Sequence, residues 1–180
     1  RFVLTFDNHN SVNGIREFAV AKGASVEYVP LSVPELRIDR EALGRLLAVP
    51  AHGGAPRLFA FPAQSNFTGV VHPLDLVGEA QAHGWRVLLD AAAYVPTHAL
   101  DLRVVRPDFV SLSFYKMFGY PTGIGCLLAR REALAALRRP WFAGGTVNFA
   151  TVQARAHILS SGEAGFEDGT LDYLGIPAVD

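Results

Sequence analysis

Arg86-Val87-Leu88-Leu89-Asp90-Ala91-Ala92-Ala93 decides how this chain folds. A short apolar run that ends in a carboxylate and then small residues reads as a buried strand leaving a parallel sheet at its carboxyl edge. The same grammar recurs on both sides. Phe2 to Thr5, Ser25 to Val29, Arg57 to Phe61, Phe109 to Leu112 and Gly123 to Ala129 are strand-like runs. Between them lie helical segments with terminal signals: Ser11 as cap of Val12 to Lys22 with Gly23 as stop, Asp39 as cap of Arg40 to Ala48, and Pro73 in the first turn of a helix ending at Gly84. Strands alternating with helices predict an α/β fold, three layers with a mostly parallel sheet at the centre.

Residues 1–180 are expected to form one unit, with about residues 140–180 less regular than the rest. Half the residues are apolar, 18% are charged and the formal net charge is −1, the composition of a globular domain with no basic face for nucleic acid. The pattern shows neither a membrane-spanning run nor the layout of a signal peptide, so a soluble, cytoplasmic protein is expected. A single cysteine, Cys126, excludes an intramolecular disulfide, and no Cys/His cluster has zinc-site spacing. The chain opens inside a strand without an initiator methionine and ends abruptly, which reads as a piece incomplete at both ends.

Functional groups in a parallel sheet gather where strands end. Asp90 is such a group; taken alone it is a cap for the following turn. Lys116 follows the strand Phe109 to Leu112 within Ser113-Phe114-Tyr115-Lys116-Met117-Phe118-Gly119, an aromatic and glycine-bearing loop; taken alone it is a solvated surface charge. Together they supply what pyridoxal phosphate (PLP) requires, an amine for a Schiff base and an acid that keeps the pyridine nitrogen protonated. Pro62-Ala63-Gln64-Ser65-Asn66-Phe67-Thr68-Gly69 and Asp7-Asn8-His9-Asn10-Ser11 add uncharged hydrogen-bonding groups and an imidazole after two other strands.

These segments, with Phe166-Glu167-Asp168-Gly169-Thr170, resemble the class V aminotransferase group of fold-type I PLP enzymes, and within it the molybdenum cofactor sulfurases and cysteine desulfurases. The resemblance implies the large PLP-binding domain of that fold. By it, Lys116 carries the cofactor, Asp90 pairs with the ring nitrogen, His9 stacks over the ring and Asn66 lies near the ring's 3-oxygen. Ser113 and Tyr115 reach the phosphate, and Thr170 binds the phosphate of a neighbouring subunit, which implies a homodimer. Tyr115 stands where cysteine desulfurases often have His, and Ala93 where they often have Gln; both departures point to the sulfurase branch. The reaction implied is removal of sulfur from L-cysteine by a nucleophilic cysteine outside these residues, with the molybdenum cofactor as acceptor.

The family's glycine- and threonine-bearing phosphate loop and its substrate-binding arginine are likewise not found in this sequence. Cys126, in the apolar run Gly125-Cys126-Leu127-Leu128, is expected to be a small buried core residue rather than the sulfur carrier. Two other readings remain open from residues alone: a different class V PLP reaction on the same Lys and Asp, and a non-catalytic α/β interaction domain.

Overall fold

The computed structural model describes residues 1–179 and divides into two compact units, Arg1–Leu128 and a second from Ala129 onward. In chain order the first unit runs β1 (Phe2–Thr5), α1 (Asn10–Asn13), α2 (Ile15–Ala21), β2 (Val26–Val29), β3 (Leu31–Ser32), β4 (Arg37–Ile38), α3 (Arg40–Leu47), β5 (Leu58–Pro62), α4 (Leu76–Ala82), β6 (Arg86–Asp90), β7 (Phe109–Ser113), α5 (Phe114–Phe118) and β8 (Gly125–Ala129). Six strands form one sheet in the order β2-β1-β5-β6-β7-β8, and the pairings from β2 across to β7 are parallel.

The alternation of side chains along the strands builds the layers. Val3, Phe59, Phe61, Val87, Leu89 and Val110 join Leu43 and Leu47 of α3 and Leu76, Val77 and Ala80 of α4 in the larger core. Their sequence neighbours Leu4, Ala60 and Leu88 point the other way, to Val12 of α1 and Ile15 of α2. Helices thus cover both faces, and a strand such as Leu58-Phe59-Ala60-Phe61-Pro62 is apolar throughout because neither face meets water. Each fully buried leucine contributes roughly 1.5–3 kcal/mol relative to exposure.

The expected strands are all present, with ends shifted by a residue or two. The helices depart more. Ser11 is not the first cap: His9 is, its ring accepting from Ser11 N–H, and Gly14 divides the expected helix into α1 and α2. Asp39 caps α3 as expected, accepting from Ala42 N–H at 2.9 Å. α4 starts only at Leu76, since Leu74 and Asp75 form a turn after Pro73. The antiparallel pair β3/β4 carried too few residues to register as periodicity.

The second unit contains α6 (Arg131–Ala135), an antiparallel pair β9 (Val147–Ala150) and β10 (His157–Leu159), and short 3-10 turns at Gly144–Thr146, Gly162–Phe166 and Ile176–Val179. No helix among the described residues is long and apolar enough to cross a membrane.

Candidate active site

Asp90 is the last residue of β6, paired with Pro62 of β5 and Ser111 of β7. Its backbone carbonyl accepts from Ala63 N–H (2.8 Å), and Ala91 N–H donates to the Ser111 carbonyl (3.1 Å), so the strand end is held from both sides. Asp90 as a whole is only 9% exposed. Oδ1 accepts from Ala92 N–H (3.0 Å) and from the Ser111 hydroxyl (3.1 Å), whereas Oδ2 has no donor among the described residues. Oδ1 thus acts as the cap expected of a lone strand-end aspartate, and Oδ2 is left open for a ligand. Ser111 escaped the sequence reading, although strand alternation from Ser113 places it on the same face two residues earlier.

Lys116 lies not in a loop but on α5, which begins immediately after β7. The turn is braced by Phe114 N–H donating to the Ile124 carbonyl (3.1 Å) and is closed by Gly119 in the left-handed region, φ 76°. Gly125, opposite, sits so close to the Leu112 carbonyl that a Cβ would fall 2.5 Å from its oxygen. Lys116 is half-buried and makes no ion pair or hydrogen bond among the described residues, and neither do the side chains of Ser113 and Tyr115.

The other two strand ends bring His9 and Asn66 to the same edge, since β1, β5, β6 and β7 are consecutive parallel neighbours. His9 is exposed; its Nδ1 accepts from Ser11 N–H (3.2 Å) and contacts the Ser11 hydroxyl (2.8 Å), which leaves the ring proton on Nε2. Asn66 stands exposed on a loop organised by the buried Ser65, whose hydroxyl accepts from Phe67 and Thr68 N–H (3.3 and 3.2 Å).

Beneath these two loops lies a buried polar network that sequence reasoning missed. His72 Nε2–H donates to Asp7 Oδ2 at 2.7 Å, with side chains 0% and 1% exposed. Burial pushes the Asp7 carboxyl up, but the hydrogen bond and charge of His72 outweigh it and hold the group below the ordinary aspartate value. Asn8 Nδ2 donates to the Thr5 and Ala60 carbonyls (3.1 and 3.0 Å), stitching β1 to β5. His72 Nδ1 is buried with no hydrogen-bond partner among the described residues. Such an unmet buried group costs about 1–3 kcal/mol and offsets part of what the ion pair contributes.

Thr170 belongs to the second unit and is exposed, beside a cleft of about 440 Å³ lined by Gly144, Gly145, Asp168 and Gly169 among others. Arg139 fixes the segment leading to it: it donates to the Gly165 carbonyl (3.1 Å), pairs with Asp168 and lies over the rings of Trp141 and Phe166 at 5.5 and 6.0 Å. Gly145 is required by the same packing, because a Cβ there would sit 2.7 Å from the Glu167 carbonyl oxygen. Cys126 is half-buried on β8, not in the core as expected, because β8 is the edge strand of the sheet and its neighbours Leu127 and Leu128 are exposed as well. Burial pushes its thiol up, away from the thiolate a nucleophile needs.

The donor set fits a PLP ring: a nearly buried carboxylate with one free oxygen, an unclaimed amine one strand away, and free hydroxyls beside that amine. Comparison with known proteins gives the same direction. The chain is 41% identical to molybdenum cofactor sulfurase 2 of Culex quinquefasciatus over 97% of its length, 38% identical to the molybdenum cofactor sulfurase of Arabidopsis thaliana over 99%, and 39% identical to that of Bos taurus over 99%. It spans only 22%, 26% and 21% of those proteins. Among solved structures, the cysteine desulfurase CsdA of Escherichia coli matches with a TM-score of 0.80 at 23% identity, over 99% of this chain and 43% of that one. The apo cysteine desulfurase of Thermococcus onnurineus matches at 0.79 and 22%, with the same coverage. At those identities the structures establish the fold. The profile of the aminotransferase class-V family aligns with residues 1–179, and with the sulfurase identities and the parallel sheet it leads to one assignment: the chain belongs to the class-V aminotransferase family.

Proposed function

We propose that this chain supplies the PLP-holding part of a cysteine desulfurase of the molybdenum cofactor sulfurase type. The observation that carries the reading is the gathering of Asp90 and Lys116, with His9 and Asn66, on consecutive parallel strand ends, where Asp90 keeps one carboxylate oxygen free and Lys116 has no partner. The names of similar proteins support this reading: cysteine desulfurase points to L-cysteine as the substrate, and molybdenum cofactor sulfurase to the molybdenum cofactor as acceptor of the sulfur.

When bound, PLP withdraws electrons from an amino acid attached to it. Lys116 is the residue that would hold the cofactor covalently and, once freed by the substrate amine, carry a proton at Nζ. Asp90 would hold the proton on the ring nitrogen through Oδ2, its position set by the two donors on Oδ1. His9 would cover one face of the ring, Asn66 would donate to its oxygen, and the Ser113 and Tyr115 hydroxyls would bind phosphate. Thr170 would serve a neighbouring subunit in a homodimer. The raised Cys126 thiol supports leaving it out of sulfur transfer.

Borohydride treatment of the whole protein with PLP, followed by peptide mass mapping, tests the reading. A phosphopyridoxyl adduct on Lys116, lost in Lys116→Ala, is expected, with L-cysteine giving alanine and sulfide under reducing conditions. No adduct in a folded protein would move the reading to a non-catalytic domain; an adduct with no sulfide from L-cysteine would keep PLP and discard desulfuration.

A further inference from the structure

Two buried side chains with no part in the proposed chemistry connect the loops that display His9 and Asn66. Asp7 precedes His9 by two residues, and His72 closes the loop that starts at Ser65 and presents Asn66. Each is anchored close to its own strand: Asn8 N–H donates to the Thr5 carbonyl (3.3 Å), and His72 N–H to the Ala63 carbonyl (2.9 Å). The Asn8 side chain ties the first loop to strand β5, but the 2.7 Å bond between His72 Nε2 and Asp7 Oδ2 joins loop to loop.

We propose that Asp7 and His72 are positioning residues that lock the His9 loop to the Asn66 loop at a single separation. A hydrogen bond between a carboxylate and an imidazole constrains both distance and angle, whereas an apolar contact of the same volume lets the loops slide. What the locked loops hold rests on the PLP reading; the lock itself does not.

The test uses the whole protein and the variants His72→Leu, His72→Gln and Asp7→Asn, each checked for a cooperative unfolding transition. Amide hydrogen exchange over residues 6–13 and 64–72 is measured without cofactor, and PLP affinity by absorbance titration. His72→Leu is expected to raise exchange about tenfold in both segments and not in α4 or β6. It should also weaken PLP by about tenfold through misplacement of the ring contacts. His72→Gln, whose amide N–H reaches Asp7, should restore both to within about threefold. If His72→Leu does not fold, Asp7→Asn, which keeps an acceptor without charge, should raise exchange in both segments by about threefold.

Unchanged exchange in either segment overturns the proposal. So does a glutamine variant that behaves like leucine, or loosened loops with unaltered PLP affinity. Should the unaltered protein take up no PLP, the cofactor reading fails while the exchange result still decides whether the lock exists.

Discussion

Asp90 joins a packing role to the cofactor role proposed for it. Oδ1 is consumed by Ala92 N–H and the Ser111 hydroxyl, which fixes the carboxylate and leaves Oδ2 for the proposed contact with the ring nitrogen. Asp90→Asn keeps an acceptor for both donors but removes the charge, so the protein should fold with an unaltered melting temperature while its PLP affinity, measured by titration, falls at least about tenfold. Ser111→Ala removes one of the two donors and should cost about 1 kcal/mol in a denaturant titration. Of these two residues, Asp90 was legible because it ends an apolar run. Ser111 became meaningful only when the β6/β7 register set it opposite Asp90.

At the scale of elements, the paired loops and the core helices respond to different stresses. Asp7 has a folded-state pKa below its unfolded value, so its contribution to stability is fully present above the ordinary aspartate pKa and is lost as pH falls through the lower, folded one. The Asp7→Asn protein should therefore show a shallower decline of unfolding free energy on acidification than the unaltered protein, followed by denaturant midpoints at successive pH values. Leu43→Ala empties a fully buried position where α3 meets the sheet and should cost about 2–5 kcal/mol by the same measurement. α3 itself was readable from its Asp39 cap and its buried Ala42, Leu43 and Leu47. α5 was not, since five residues are too few for a helical period and the aromatic, glycine-bearing composition around Lys116 reads as a loop.

The whole molecule is where the neighbouring-subunit role of Thr170 can be decided. If Thr170 completes the site of a second subunit, Lys116→Ala and Thr170→Ala proteins, each inactive, should regain activity when unfolded together and reassembled. Random pairing leaves one intact site in every mixed dimer, so, under the proposed function, about a quarter of the unaltered whole protein's activity should return. No recovery, with mixed dimers demonstrated by tags, would place Thr170 in its own subunit's site or outside any.

The sequence by itself determined the alternation of strands and helices and marked out Asp90 and Lys116 by strand-end chemistry, while His9, Asn66 and Thr170 were singled out by the motifs that carry the family resemblance. Hydrophobic periodicity and strand-end chemistry are local properties, written within a few residues of each position. Only the tertiary structure decided that Asp7 meets His72 across 65 positions, that Ser111 secures Asp90, that Arg139 holds the segment before Thr170, and that Cys126 lies half-exposed. Those contacts depend on which strands are neighbours and in what register, and no short stretch of sequence carries that information.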